Sequence, residues 1–97
     1  MKCNLFQTLI FEDTKDTLSY FKVIESDVIP KFNEEIMEFT EEHTEIYKVS
    51  NIIYNLDDKK LDFVNIFLQE LYFETSSPRE KLERFFENTN WTKNIKN

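Results

Sequence analysis

Apolar residues recur along most of the chain at the three- and four-residue steps of an α-helix. Ile29, Phe32, Ile36, Phe39, His43 and Ile46 form one such stripe, which predicts a helix over about residues 27–46. Ser26 is its N-cap and Asp27 suits the first-turn dipole, while Pro30 is tolerable only near that start. Leu61, Val64, Phe67, Leu68 and Leu71 repeat the spacing, with Phe63 and Ile66 widening the face. They predict a central helix from Asp57 or Asp58 to about Phe73. Ser77-Pro78-Arg79-Glu80 reads as a capping box with proline at the first helical position. Leu82, Phe85 and Phe86 follow as its apolar side, and Asn88 as its stop. A further helix is expected from Asp13 or Thr14 through Leu18, Phe21 and Ile24.

Two stretches fit either period. Ile46, Val49, Ile53 and Leu56 stand at helical steps, yet isoleucine, valine and tyrosine also favour strands. Residues 3–11 alternate Cys3, Leu5, Leu9 and Phe11, while Leu5, Phe6, Leu9 and Ile10 equally fit a helix. The chain has no glycine, the usual residue of tight hairpin turns, and this favours helix. The expected fold is therefore all-α, a small helical bundle of about four to five helices over residues 1–90 with a polar tail, 91–97. The alternative is α+β, with short strands near 3–11 and 46–56 paired to each other.

Composition narrows the class. Ninety-seven residues allow one domain. Forty per cent apolar with 32% charged is a globular balance, and ten Phe, four Tyr and one Trp supply the core volume. One cysteine (Cys3) excludes an internal disulfide, and with one histidine (His43) no Cys/His zinc site can be written. The missing glycine removes phosphate-cradling loops and dinucleotide fingerprints. No apolar run reaches the ~20 residues that span a bilayer, and the first residues lack a signal-peptide pattern. The expectation is a soluble, cytoplasmic protein. Its richness in Asn, Lys, Ile and Phe without Ala or Gly suits an AT-rich bacterial or phage genome.

Charge changes the picture most. The net charge is −7, and residues 1–24 and 46–97 each balance to zero. The whole excess lies in residues 25–45, where Glu25, Asp27, Glu34, Glu35, Glu38, Glu41, Glu42 and Glu45 face Lys31 alone. On the expected helix, Glu34, Glu38, Glu41 and Glu45 oppose the apolar stripe, flanked by Glu35 and Glu42. Such a face either keeps a Phe-rich protein soluble or docks a cationic partner, because clustered charge steers encounter. Carboxylates one helical turn apart also suggest partial nucleic-acid mimicry. The same acid disfavours direct DNA or RNA binding, whose affinity comes from neutralising phosphates. Trp91 either pins the tail to the core or is an aromatic anchor for the partner.

Catalytic chemistry finds little footing. His43 lies on the apolar stripe and reads as a hydrogen-bonded residue at the core edge. Thr40 stands three before it where a di-iron motif needs glutamate, and one histidine excludes a His-Glu-x-x-His site. A Cys3–His43 nucleophile–base pair would draw on a cysteine at the very terminus. Asp57, Asp58 and Asp62 resemble calcium ligands, but Lys59, Leu61 and the missing glycine break the EF-hand pattern. No metal, cofactor or enzymatic activity is expected. The predicted function is a non-catalytic acidic module, of inhibitor, immunity, antitoxin or phage anti-defence type. It would occlude a basic surface of a protein such as a nuclease or DNA-handling protein. The predicted partner-binding residues are Glu34, Glu35, Glu38, Glu41, Glu42, Glu45 and Trp91. The alternative is an assembly subunit that self-associates through its aromatic faces. The charge case requires the glutamates to share one rod and to lack cations folded in from elsewhere.

Overall fold

The computed structural model describes residues 1–57 and 60–94. In chain order the elements are β1 (Lys2–Phe11), β2 (Asp16–Glu25), β3 (Glu35–Phe39), β4 (Thr44–Asp57), β5 (Lys60–Leu68), β6 (Leu71–Phe73), α1 (Arg79–Asn88) and β7 (Thr92–Lys93). The strands form one sheet in the order β3-β4-β5-β1-β2-β7, and β6 pairs with β1 beyond the end of β5. β1 is central: antiparallel to β2 along its whole length, and parallel to β5 and then β6. The protein is a mostly β fold with a single helix among the described residues, not an all-α bundle.

That overturns the helices expected over 14–24, 27–46 and 57–73. Residues 3–11 and 46–56 lie in strands, but β1 and β4 do not pair with each other; β5 stands between them. The physical reason lies in how the sheet uses its two faces. Cys3, Leu5, Leu9 and Phe11 of β1, Leu18 and Tyr20 of β2, Tyr47 and Val49 of β4, and Val64, Ile66 and Leu68 of β5 all point inward and are buried. This is the two-residue period of strands. The opposite face also carries rings: Phe6 stacks on Phe67 at 5.0 Å between centroids, and Phe21 lies across from Phe6. With apolar side chains on both faces, a run satisfies the helical and the strand period at once, and aromatic and β-branched content decides.

The glycine argument fails because other residues fill the left-handed positions. Lys15, Asn33 and Asn90 have φ of 59°, 69° and 67°. Lys15 closes the β1–β2 hairpin, Asn33 sits in the turn entering β3, and Asn90 turns the chain after the helix. Asparagine tolerates that region better than most residues, and lysine does so at some cost.

The helix over 79–88 lies where its apolar spacing puts it, with Leu82, Phe85 and Phe86 buried. Its expected cap differs: the helix starts after Pro78 with no side-chain cap, and the Ser77 hydroxyl meets that of Thr75. Asp13 instead ties this junction to the β1–β2 turn by accepting from the Ser76 amide and hydroxyl. The helix fills the concave side of the sheet. Phe86 stacks on Tyr20 of β2 at 4.6 Å and reaches Tyr47 of β4 at 6.1 Å. Trp91 follows at 5.4 Å from Phe86 and is 5% exposed. It belongs to the core, and Thr92–Lys93 then pair with β2. Asp58 and Lys59, among the calcium and capping candidates, lie outside the described residues, as do residues 95–97. Among the described residues no helix is long and apolar enough to cross a membrane.

Candidate functional site

The acidic stretch forms a loop, the edge strand β3, a tight turn and the start of β4. Thr40 builds the turn: its amide donates to the His43 carbonyl at 2.8 Å, and its hydroxyl accepts from the amides of Glu42 and His43. Register then sets two rows. Glu35 opposes Lys48, Met37 opposes Ile46 and Phe39 opposes Thr44, all on the outer face. Ile36 opposes Tyr47 and Glu38 opposes Glu45 on the inner face.

The inner row engages two of the expected docking acids within the fold. Glu38 Oε1 accepts from Trp91 Nε1 at 2.8 Å and from the Tyr47 hydroxyl at 3.0 Å. Its Oε2 accepts from Lys22 Nζ at 2.8 Å, and Lys22 also donates to the Thr89 carbonyl at 2.6 Å. β3 and β2 have three strands between them in the sheet order, so this contact records how far the sheet curls. Desolvation pushes the Glu38 carboxyl up, but the bonds from Lys22, Trp91 and Tyr47 and the Lys22 charge outweigh it and hold the carboxyl below its ordinary range. Burial, with Glu38 beside it, raises the Tyr47 phenol far above its ordinary value. Glu45 Oε1 lies within hydrogen-bond distance of His43 Nε2, at 2.7 Å, and the imidazole lies edge-on to Phe85 at 4.8 Å.

The remaining acids face water. Glu34 takes the Lys31 amide on its carboxylate at 2.6 Å and stays exposed; Glu35, Glu41 and Glu42 are exposed as well. Among the described residues none of these four, nor Asp27, lies in an ion pair. Lys81 and Arg84 of the helix border the same small cleft as Glu42, so its field is partly offset. Thus the six glutamates do not form one row, and the helical spacing behind nucleic-acid mimicry does not exist.

What the sequence reading missed is apolar. Met37 is 63% exposed, Phe39 69% and Ile46 51%, and Met37 and Ile46 are direct cross-strand neighbours. Val28 and Phe32, on the loop that leads to β3, are exposed too. Four of the exposed large hydrophobic residues therefore lie within the acidic segment, and Ile46 directly follows it. The signal was present as alternation: in Glu35-Ile36-Met37-Glu38-Phe39 the outer positions are 35, 37 and 39. Assigning Phe39 and Ile46 to a buried helical stripe concealed it.

Among the described residues the two candidates for a nucleophile–base pair lie apart. Cys3 is fully buried on β1, where desolvation chiefly raises its thiol pKa, and it bonds only weakly to the Met1 carbonyl. His43 sits at the β3–β4 turn against Glu45 and Phe85, so the two do not pair. Among the described residues no three of His, Cys, Asp and Glu converge as a metal site would require. Comparison with family models, curated proteins and solved structures returns no match.

Proposed function

We propose that this protein is a non-catalytic binding module that covers a basic surface of a partner protein through the outer side of its β3–β4 hairpin. The observation that carries the reading is the patch of Met37, Phe39 and Ile46, exposed side by side and bordered by Glu34, Glu35, Glu41 and Glu42. An apolar centre with a charged, solvated rim is the usual anatomy of a docking surface. The acids steer a cationic partner into encounter, and burial of the apolar side chains holds it. A nuclease or another DNA-handling protein has the matching charge. Trp91 and Glu38 contribute by fixing the fold rather than by touching the partner.

The test is capture from native host extract at low and high salt by three baits: wild type, the triple variant Glu35→Gln/Glu41→Gln/Glu42→Gln, and Met37→Ser/Phe39→Ser. A basic protein retained by wild type at low salt and lost by both variants supports the reading. Equal recovery by all three baits rejects it. Self-association through the same patch is the second reading, since exposed apolar area also suits a homodimer. It would bring two acid-rich hairpins together, and a solution mass measurement at low salt separates the two.

A further inference from the structure

Resting on that reading, we propose that the partner contributes an extended, arginine- or lysine-bearing segment that adds to β3 as a new strand of the sheet. The backbone supports it. The Thr40 amide bonds to the His43 carbonyl, and the Val49 amide to the Glu34 carbonyl. Hydrogen-bonded pairs alternate in an antiparallel ladder, so residues 34, 36, 38 and 40 turn their backbone groups toward β4. Glu35, Met37 and Phe39 therefore turn theirs to the other side, and β3 is the terminal strand of the sheet. Among the described residues no backbone hydrogen bond reaches those three from beyond β3.

The edge lacks most of the usual protections. β3 has no proline, no lysine and no bulge, and two of its three outward side chains are large and apolar. The opposite end of the sheet is different: β7 pairs with Tyr20 and Phe21 of β2, and the Asn94 amide bonds to the Ser19 carbonyl. What guards β3 is negative charge alone. Glu34 and Glu35 stand at one end and Glu41 and Glu42 at the other, which repels a second copy's β3 and invites a cationic strand.

Geometry also fixes which residues of the added strand are read. In an antiparallel pair, residues bonded to Glu35, Met37 and Phe39 place their side chains on the same outer face. Arginines there would reach Glu35 and Glu41 while laying their stems over Met37 and their guanidinium groups on Phe39. The inner positions meet Ile36 and Glu38, and Glu38 is already saturated by Lys22, Tyr47 and Trp91. The specificity therefore lies in alternate basic residues of an extended segment, a mode in which backbone bonds hold and alternate side chains select.

A synthetic peptide of alternating arginine and valine, blocked at both ends, is the probe. Two isomers carry the same charge: one N-methylated at every arginine amide, the other at every valine amide. Strand addition uses only the amides of outward residues. The arginine-methylated isomer should bind at least about tenfold more weakly than the parent, because several backbone bonds at ~0.5–1.5 kcal/mol each are lost. The valine-methylated isomer should bind like the parent. Bound parent peptide should also slow amide hydrogen exchange at Met37 and Phe39. Met37→Pro removes an amide that lies outside the β3–β4 ladder, so the variant should fold and lose the parent peptide. Equal binding of both isomers, with exchange at Met37 and Phe39 unchanged, overturns strand addition and leaves charge-driven docking standing. No binding of the parent peptide at low salt overturns both.

Discussion

Replacing Glu38 by glutamine or alanine tests whether the curl of the sheet is held by one carboxylate. Glu38 and Lys22 are 21% and 20% exposed at their side chains, between a surface pair and a buried one. In Glu38→Gln the amide oxygen still accepts from Tyr47 and Trp91, but the amide nitrogen replaces an acceptor of the Lys22 ammonium. One charge-assisted bond, normally ~1.5–3 kcal/mol, is lost, and partial solvation reduces the cost to about 1–2 kcal/mol. In Glu38→Ala the Tyr47 hydroxyl and Trp91 Nε1 also lose their acceptor, while Lys22 keeps the Thr89 carbonyl. Orphaned donors raise the cost to about 2–4 kcal/mol. For a domain of this size each kcal/mol lowers Tm by about 4–8 °C, so the glutamine variant should melt roughly 5–15 °C lower. Urea unfolding followed by Trp91 fluorescence gives the free energies directly. The carboxyl pKa is depressed in the fold, so its contribution is full above the ordinary value of 4.5 and fades as pH falls through the folded value. The gap between wild type and Glu38→Gln should accordingly narrow on acidification below that point. A difference under about 0.5 kcal/mol at neutral pH, as for an exposed ion pair, would refute the clamp. So would a gap that does not change with pH.

Three further outcomes follow from the core and its turns. Phe86→Ala removes the fully buried ring that touches Tyr20, Tyr47, Phe85 and Trp91, and should cost about 3–5 kcal/mol in denaturant unfolding; a loss below about 1 kcal/mol would mean the helix is not the core's centre. Lys15→Gly relieves a left-handed position at φ 59° and should raise stability by about 0.5–1 kcal/mol after the added unfolded-state entropy; destabilisation in the same assay would contradict that backbone assignment. Burial, followed by the charges of Glu83 and Glu87, pushes the Tyr20 phenol up to about 12, and Tyr47 is held higher still. Their neutral forms favour the fold below the ordinary value of 10 and lose that contribution as pH rises through the folded values. Ultraviolet titration should therefore show these two phenols ionising together with unfolding, and two early phenolate steps in Tyr72→Phe/Tyr54→Phe protein with intact near-ultraviolet dichroism would disprove it.

The helix over 79–88 was legible because its apolar residues lie on one stripe and nothing apolar opposes them. The strands were not, because the sheet breaks the inside-apolar, outside-polar rule on both sides. Gln7, Lys22, Glu38 and Glu45 point inward among the core strands, while Phe6, Phe21, Met37, Phe39, Ile46 and Phe67 point outward. Gln7 shows why: its Nε2 donates to the Gln69 and Thr8 carbonyls at 2.9 Å, bridging the gap where β5 gives way to β6 along β1. Two of these contacts, Gln7 with Gln69 and Glu38 with Trp91, join residues 62 and 53 apart in the chain, which no local period reveals. The charge excess of residues 25–45 was plain from the sequence, but its distribution was not. Two of its acids became internal, and the exposed ones came to border apolar residues assigned to the core.

This inversion bears on function. A hairpin serving only solubility would turn Glu38 and Glu45 to water and Met37, Phe39 and Ile46 to the core. Here the reverse holds, and the inward carboxylate costs desolvation that only three donors from β2, β4 and the segment after the helix offset. Those donors anchor β3 from the inside, so the edge strand is held in extended form with no neighbouring strand on its outer side among the described residues. An edge already fixed in strand geometry loses less entropy when another strand arrives, which is where a preorganised surface gains affinity over a flexible one. The internal glutamate and the external hydrophobic patch are thus two sides of one five-residue strand: the first positions it, and the second is the surface that the proposed partner strand would cover.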